Sequence, residues 1–193
     1  IKDERQGPTS SFKDRQAAVT IAALKEAGIT EMVAASTGNV AISYSAYASR
    51  AGMKLWAFVT SLVPSVKMRE IALYGSQVIK ITGSYDQCKQ VASEFARQRH
   101  LYQDMGARTI TSIEAMKTIA FEIAEQLTAV QGPGENTAWQ TPDWYVQAIS
   151  GGMGPLGVYK GFREMKQMGW VDRIPSFAPI QAEGCAPMVN SWK

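Results

Sequence analysis

The chain has 193 residues, of which 46% are hydrophobic and 19% are charged, and its formal net charge is +3. This composition supplies enough apolar material for a core and excludes a chain that is mainly disordered. The charges are dispersed without a block of five like charges, so nucleic acid is not an expected partner. No window reaches the roughly 18 apolar residues that a membrane helix needs, so a membrane is not an expected partner either.

Short apolar runs alternate along the chain with longer helical patterns. The apolar runs predict strands at residues 31–35, 54–60, 77–81, 144–149 and 176–181. The patterns between them predict helices at residues 12–27, 40–51, 66–74, 85–98, 113–130 and 156–168. Four of these helices stop at a glycine suited to the left-handed position that follows a helix: Gly28, Gly52, Gly75 and Gly169. The alternation predicts an α/β fold in which parallel sheets carry helices on both faces, in three layers.

The chain ends, the two cysteines and the single histidine indicate the kind of protein from which the chain comes. The chain begins at Ile1 without a methionine or a signal-peptide pattern, and it stops soon after the last predicted strand, so we expect a fragment of a longer protein. Cys88 and Cys185 form no CxxC motif, which favours two free thiols in a reducing, cytoplasmic location. His100 has no metal-ligand pattern around it, and we expect a surface histidine and no metal site.

Residues 7–15, Gly-Pro-Thr-Ser-Ser-Phe-Lys-Asp-Arg, place a lysine at the start of the first predicted helix. Ser10 or Ser11 is a suitable cap for that helix, and Lys13 then falls in its first turn. Partial burial and the positive end of the helix dipole both lower a lysine pKa, which suits an amine that must form a Schiff base. An ordinary solvated lysine in a first helical turn is the alternative.

Two further segments have the form of anion-binding turns. Residues 36–39, Ser-Thr-Gly-Asn, follow an apolar strand and open a helix, where unpaired backbone N–H groups suit a carboxylate. Residues 150–156, Ser-Gly-Gly-Met-Gly-Pro-Leu, also follow a strand, and their glycines allow backbone amides to surround a phosphate. For each segment alone, a plain strand–turn–helix junction is the alternative.

The three segments together resemble the threonine synthase family of fold-type II pyridoxal phosphate enzymes. The family's lysine motif is usually written PTGSFKDR, and this chain has Ser10 in place of the glycine. Residues 117–123, Lys-Thr-Ile-Ala-Phe-Glu-Ile, and residues 142–144, Pro-Asp-Trp, also look like this family. The resemblance runs through nearly the whole chain and implies two subdomains, with pyridoxal 5'-phosphate as the cofactor.

The resemblance also implies roles for particular residues. Lys13 would hold the cofactor through a Schiff base and shuttle protons. Asn39 would bond the cofactor's ring oxygen. The substrate carboxylate would be bound by the turn that opens the second helix, at Ser36, Thr37 and Gly38. The cofactor phosphate would be bound by the second glycine-rich segment, at Gly151, Gly152, Met153 and Gly154.

The implied reaction is that of a threonine synthase, a lyase of threonine biosynthesis that converts O-phosphohomoserine and water to threonine and phosphate. One departure concerns the substrate phosphate, because Thr109 and Ser112 stand where the family has an Asn and an Arg that help to bind it. Lys67 and Arg69 near a helix start, together with Lys54, are candidates to compensate.

Three alternatives to a threonine synthase stay open. A serine/threonine dehydratase and a β-replacement synthase, such as a cysteate synthase, have the same fold. A non-catalytic cofactor-binding remnant belongs to another class, and the retained Lys13 argues against it. For the full-length enzyme we expect a large domain formed by residues 1–39 and 107–193 and a small mobile domain at residues 40–106. We also expect a small-molecule amino-acid substrate and a homodimer.

Overall fold

The structure, a computed structural model, describes residues 1–36, 38–132 and 138–192. The chain divides into two compact units, Ile1–Ser112 and Ile113–Lys193, which are described separately below. The predicted division of the longer enzyme at residues 39 and 106 stays a prediction.

Strands and helices alternate along both units. The strands are β1 (Glu31–Ala35), β2 (Lys54–Thr60), β3 (Gln77–Ile81), β4 (Tyr102–Gln103), β5 (Trp144–Ala148) and β6 (Ser176–Ile180). The helices are α1 (Lys13–Glu26), α2 (Asn39–Ala51), α3 (Ser65–Leu73), α4 (Tyr85–Gln98), α5 (Ile110–Gln131), α6 (Met153–Gln167) and α7 (Pro187–Trp192). Short 3-10 helices occur at Glu4–Gln6, Gly106–Arg108 and Glu183–Cys185.

The first unit is built on a four-stranded parallel sheet in the order β3-β2-β1-β4. Because successive side chains of a strand point to opposite faces, β1 serves two cores. Met32 and Ala34 belong to the core that includes residues of α1, α2 and α3, whereas Val33 packs with Phe58 and with Cys88 of α4. The predicted three-layer arrangement of helix, parallel sheet and helix is therefore confirmed.

The second unit combines a parallel pair of strands, β5 and β6, with closely packed helices. Its α5 and α6 meet at two glycines of α6. A Cβ atom added at Gly161 would lie 2.8 Å from the Cβ of Ala120, and one added at Gly157 would overlap the side chain of Met116. Phe162 of α6 is fully buried. Glycine at these two positions permits the close approach of the helices.

Four charged side chains also connect α5 and α6. The ammonium of Lys117 lies 2.5 Å from the Glu114 carboxylate and 2.8 Å from that of Glu164, and the ammonium of Lys160 lies 2.6 Å from both carboxylates. Each acid therefore faces two ammonium groups, and these contacts lower the carboxyl pKa of Glu114 and Glu164.

The structure differs from the predicted elements in several places besides shifts of one residue at element ends. Helix α7 and the three short 3-10 helices were not predicted. Strand β4 was missed because it has only two residues. Helices α5 and α6 begin three residues earlier than predicted. The predicted cap of α1 is wrong, because Phe12 occupies the N-cap position without a capping side chain, although Ser11 Oγ accepts a hydrogen bond of 3.3 Å from the N–H of Lys13.

Among the described residues, no helix has both the length and the apolar character needed to cross a membrane. Across the same ranges, the histidine, cysteine and acidic side chains form no group of three or more that could hold a metal ion. Both cysteines are free, with Cys88 buried and Cys185 exposed.

Candidate functional site

The carboxyl edge of the sheet in the first unit gathers the polar residues of the candidate site. The turn at residues 36–39 follows β1, and Asp104 follows the neighbouring strand β4. The N–H of Asp104 donates a hydrogen bond of 2.9 Å to the carbonyl of Val33, which fixes Asp104 beside the end of β1. Ligands of open parallel sheets bind at this edge, where the strands end.

The loop before Lys13 is held by the buried carboxylate of Asp14, which is 5% exposed. This carboxylate accepts hydrogen bonds from the N–H of Thr9 at 2.9 Å and from its hydroxyl at 2.5 Å. The same hydroxyl contacts the Ser43 hydroxyl of α2 at 2.8 Å. Gly7 permits this arrangement, because a Cβ atom there would overlap the Asp14 carboxylate. The loop that presents Lys13 is therefore fastened to two helices.

Lys13 is the first residue of α1, and its side chain is partly buried. Its ammonium lies 4.4 Å from the centre of the Phe12 ring. Burial lowers the pKa of Lys13, while the negative charge of Asp104 acts in the opposite direction. An amine that loses its proton more readily is a better nucleophile.

The turn between β1 and α2 has both backbone donors and a cation. The N–H of Gly38 donates a hydrogen bond of 3.1 Å to Ser36 Oγ, and Asn39 opens the helix. The ammonium of Lys67, from α3, donates a hydrogen bond of 3.1 Å to Asn39 Oδ1. A Cβ atom at Gly38 would lie 2.9 Å from that ammonium. The unpaired amides of a helix start and an ammonium group together favour an anion.

The other predicted substrate residues are placed differently. Thr37 lies outside the described residues. Arg69 is exposed and follows Lys67 by two positions, which on an α-helix turns it by about 200° to another face. Lys54 begins β2 and lies 3.7 Å from the carboxylate of Glu31, the first residue of β1, so it is at the opposite edge of the sheet. Of the three candidate cations, the structure brings Lys67 to the turn.

The sequence-based reasoning missed a polar network around Asp104. Its carboxylate lies 3.4 and 3.5 Å from the side-chain nitrogen of Gln16 and accepts a hydrogen bond of 3.4 Å from the Ser112 hydroxyl. Gln16 also donates a hydrogen bond of 2.9 Å to the hydroxyl of Tyr44. Burial raises the pKa of Asp104, and hydrogen bonds from Tyr44, Thr109 and Ser112 act in the opposite direction.

The network had a signal in the sequence. Lys13, Gln16 and Thr20 are spaced three and four residues apart, so they share one face of α1. Gln16 and Thr20 are both fully or almost fully buried, and the Thr20 hydroxyl lies 2.8 Å from that of Thr111. Polar residues at helical spacing from a candidate lysine indicate that this face of the helix belongs to a functional site.

The glycine-rich segment of the second unit connects β5 to α6. Gly152 is the N-cap of α6 and has a left-handed backbone with φ of +74°. A Cβ atom at Gly154 would lie 2.6 Å from the Gln147 side chain, whereas one at Gly151 would meet no atom within 4 Å. The first N–H groups of α6, those of Met153 and Gly154, have no partner within the helix. Such a segment can bind a phosphate group.

Solved structures identify the class of fold. The processed form of threonine deaminase isoform 2 from Solanum lycopersicum matches with a TM-score of 0.80 and 20% identity, over 99% of this chain and 48% of that one. Maize serine racemase matches with a TM-score of 0.79 and 21% identity, over 98% of this chain and 53% of that one. The protein therefore has the fold of the fold-type II pyridoxal phosphate enzymes.

Sequence comparison identifies the family. A profile of the pyridoxal-phosphate dependent enzyme family matches residues 1–193, and the chain belongs to this family. Threonine synthases from Methanocaldococcus jannaschii and Methanosarcina acetivorans are each 31% identical to it over 100% of this chain and 45% of their own length. The chain thus spans about half the length of the curated relatives it matches. The resemblance and the cofactor predicted from the sequence are confirmed for the family.

Each unit, taken by itself, has residues that fit one part of pyridoxal 5'-phosphate. Lys13 supplies a partly buried amine of lowered pKa, and the start of α6 supplies amide donors of the kind that bind phosphate. The individual roles, with Asn39 at the ring oxygen and the residues from Gly151 to Gly154 at the phosphate, stay predictions.

Proposed function

We propose that this chain forms the lysine-bearing part of a pyridoxal phosphate-dependent lyase of the threonine synthase type, which acts on an amino acid. The observation that carries the proposal is the pairing, in one unit, of Lys13 at the start of α1 with an anion-binding turn that Lys67 joins. The 31% identity to threonine synthases along the whole chain supports the same reaction type. When bound, the cofactor withdraws electrons from the substrate Cα.

In this proposal, three groups of residues have separate roles. Lys13 holds the cofactor and, with a pKa lowered by burial, accepts and returns a proton at the substrate Cα. The amides at the start of α2 and the ammonium of Lys67 bind and orient the substrate carboxylate. The amides at the start of α6 hold the cofactor phosphate.

The test of this proposal is the removal of the Lys13 amine. In the full-length protein, Lys13→Ala should abolish both the visible absorption band of the bound cofactor and turnover. Lys25→Ala, which removes an exposed lysine from the last turn of the same helix, is the matched control and should keep both. A Lys13→Ala protein that keeps the band after dialysis would refute the assignment.

Two substrates are compatible with this reaction type. O-phosphohomoserine, which threonine synthase converts with water to threonine and phosphate, is supported by the names of the curated relatives. An unphosphorylated amino acid, used by a dehydratase or a β-replacement synthase, is favoured by the carboxylate of Asp104 in the lysine-bearing unit. The measurement that separates them is kcat/KM for O-phosphohomoserine against serine and threonine, with the products identified.

A further inference from the structure

Asp104 brings a negative charge to the edge of the sheet where the substrate is expected. It follows β4, and β4 is paired with β1, whose end carries the turn at residues 36–39. Adjacent strands are about 4.8 Å apart, so the turn and Asp104 are neighbours along this edge. The negative charge of Asp104 also opposes the lowering of the Lys13 pKa by burial.

The hydroxyl groups around Asp104 are already engaged. Ser112 Oγ donates to the Asp104 carboxylate, and Thr109 Oγ1 accepts a hydrogen bond of 2.9 Å from the N–H of Met105. Thr111 Oγ1 lies 2.8 Å from Thr20 Oγ1. These hydroxyls therefore stabilise the network itself. They bring no positive charge that could neutralise a substrate phosphate beside the Asp104 carboxylate.

A second observation concerns the amide of Gln16, which is 1% exposed. Its nitrogen donates to Tyr44 and Asp104, but its oxygen Oε1 is buried without a hydrogen-bond partner. A buried acceptor without a donor is costly, and native structures rarely leave one. Among the described residues, the network therefore leaves this one buried acceptor without a donor. A hydroxyl group can supply the missing donor, whereas a phosphate dianion carries acceptors only.

We propose that Asp104 is a specificity-determining residue, which excludes phosphorylated amino acids and favours a substrate whose side chain carries a hydroxyl group. This inference rests on the proposed function and selects, of its two compatible substrates, the unphosphorylated amino acid. The two ends of the site then differ in charge. The turn with Lys67 receives the carboxylate common to all amino acids, and the network of Asp104 and Gln16 receives a neutral, donor-bearing side chain. Placing a phosphate dianion beside Asp104 opposes two like charges in a partly buried site.

The experiment compares three forms of the full-length protein loaded with cofactor: wild type, Asp104→Asn and Asp104→Glu. We expect the wild type to turn over serine or threonine with a kcat/KM at least a hundredfold above that for O-phosphohomoserine. Asp104→Asn removes the charge and should reduce this ratio at least tenfold, whereas Asp104→Glu keeps the charge and should preserve it. Glu94→Gln, which removes an exposed charge from the distal half of α4, is the control and should leave the ratio unchanged.

Binding provides a readout that does not depend on turnover. By titration calorimetry, O-phosphohomoserine should bind Asp104→Asn at least tenfold more tightly than it binds the wild type. Efficient turnover of O-phosphohomoserine by the wild type, which needs no variant, would overturn the inference. The inference would also be overturned if Asp104→Asn and Glu94→Gln had the same ratio of kcat/KM for serine or threonine to kcat/KM for O-phosphohomoserine. Both results leave the proposed function intact as long as Lys13→Ala loses the cofactor band.

Discussion

Ser10 has a backbone conformation that its side chain disfavours. Its φ is +53°, in the left-handed region, where a non-glycine residue costs roughly 1–2 kcal/mol. Glycine avoids this cost but loses about 0.5–1 kcal/mol more backbone entropy on folding. We therefore expect Ser10→Gly to raise the free energy of unfolding by about 0.5 kcal/mol, as measured by urea denaturation.

Ser11→Gly is the matched control for this change, because Ser11 lies next in the loop and does not have a positive φ. That substitution gains no relief from strain and also removes the Ser11 hydroxyl that accepts the N–H of Lys13, so it should lower the free energy of unfolding by about 1–2 kcal/mol. If both glycine variants lost stability equally, the left-handed backbone at Ser10 would not be a source of strain.

Lys67 is the cation that the structure brings to the turn, and its removal should affect substrate binding. Losing one charge-assisted hydrogen bond costs about 1.5–3 kcal/mol, so Lys67→Ala should raise KM by about tenfold to a hundredfold. Arg69→Ala removes a cation from another face of the same helix and should change KM less than threefold. Steady-state kinetics of the two variants side by side decides this, and equal effects would assign the carboxylate to a different group.

The residues that the sequence identified are those whose chemistry depends on local order along the chain. Lys13 and the turn at residues 36–39 are recognisable in the sequence because both lie at the start of a helix. The first backbone N–H groups of a helix have no partner within it and are available to a ligand. Asp104 gains its importance from contacts with Gln16 and Ser112, which are 88 and 8 residues away. The helical spacing of Lys13 and Gln16 indicates one side of this cluster, but its contact with Asp104 depends on tertiary packing, which short-range patterns do not contain.

At the scale of elements, the close packing of α5 and α6 depends on glycine. A Cβ atom at Gly161 would lie 2.8 Å from the Ala120 Cβ and 3.0 Å from the carbonyl oxygen of Lys117, so one of the helices must shift. Overpacking of this kind costs about 1–3 kcal/mol, and Gly161→Ala should lower the free energy of unfolding by that amount.

Gly184→Ala is the control for this prediction, since a Cβ atom there meets nothing within 4 Å. It should change the free energy of unfolding by no more than about 0.5 kcal/mol. Thermal or chemical denaturation of the two variants provides the comparison. Equal stability of both variants would show that the helices adjust without cost.

The elements themselves were predictable where a pattern was long enough. Strands β1, β2 and β3 have the predicted bounds, because each is a segment of five to seven residues with at least three apolar residues, set between two helical patterns. Helix α6 begins earlier than predicted because Gly154 and Pro155 look like helix breakers, yet proline is tolerated in a first turn, where its missing N–H has no partner to lose. The two residues of β4 are too few to form a pattern.

At the scale of the whole molecule, Lys13 and Asp104 give stability opposite dependences on pH. Burial lowers the pKa of Lys13, so between that value and the ordinary 10.5 the unfolded chain binds more protons and stability rises with pH. Burial raises the pKa of Asp104, so above the ordinary 3.8 the folded chain binds more protons and stability falls as the pH rises. The change of the free energy of unfolding with pH in the acidic range therefore reports on Asp104.

Asp104→Asn should for this reason become more stable than the wild type as the pH rises. Below the ordinary carboxyl pKa of 3.8, both side chains are neutral and the variant should gain little. Near pH 7 the wild type has to keep a partly buried charge, and the variant should have the higher free energy of unfolding. The measurement is urea denaturation of the cofactor-free, full-length proteins at intervals from about pH 4 to pH 7, with Glu94→Gln as the exposed control. A difference between Asp104→Asn and wild type that shrinks as the pH rises would mean that the charge of Asp104 stabilises the fold.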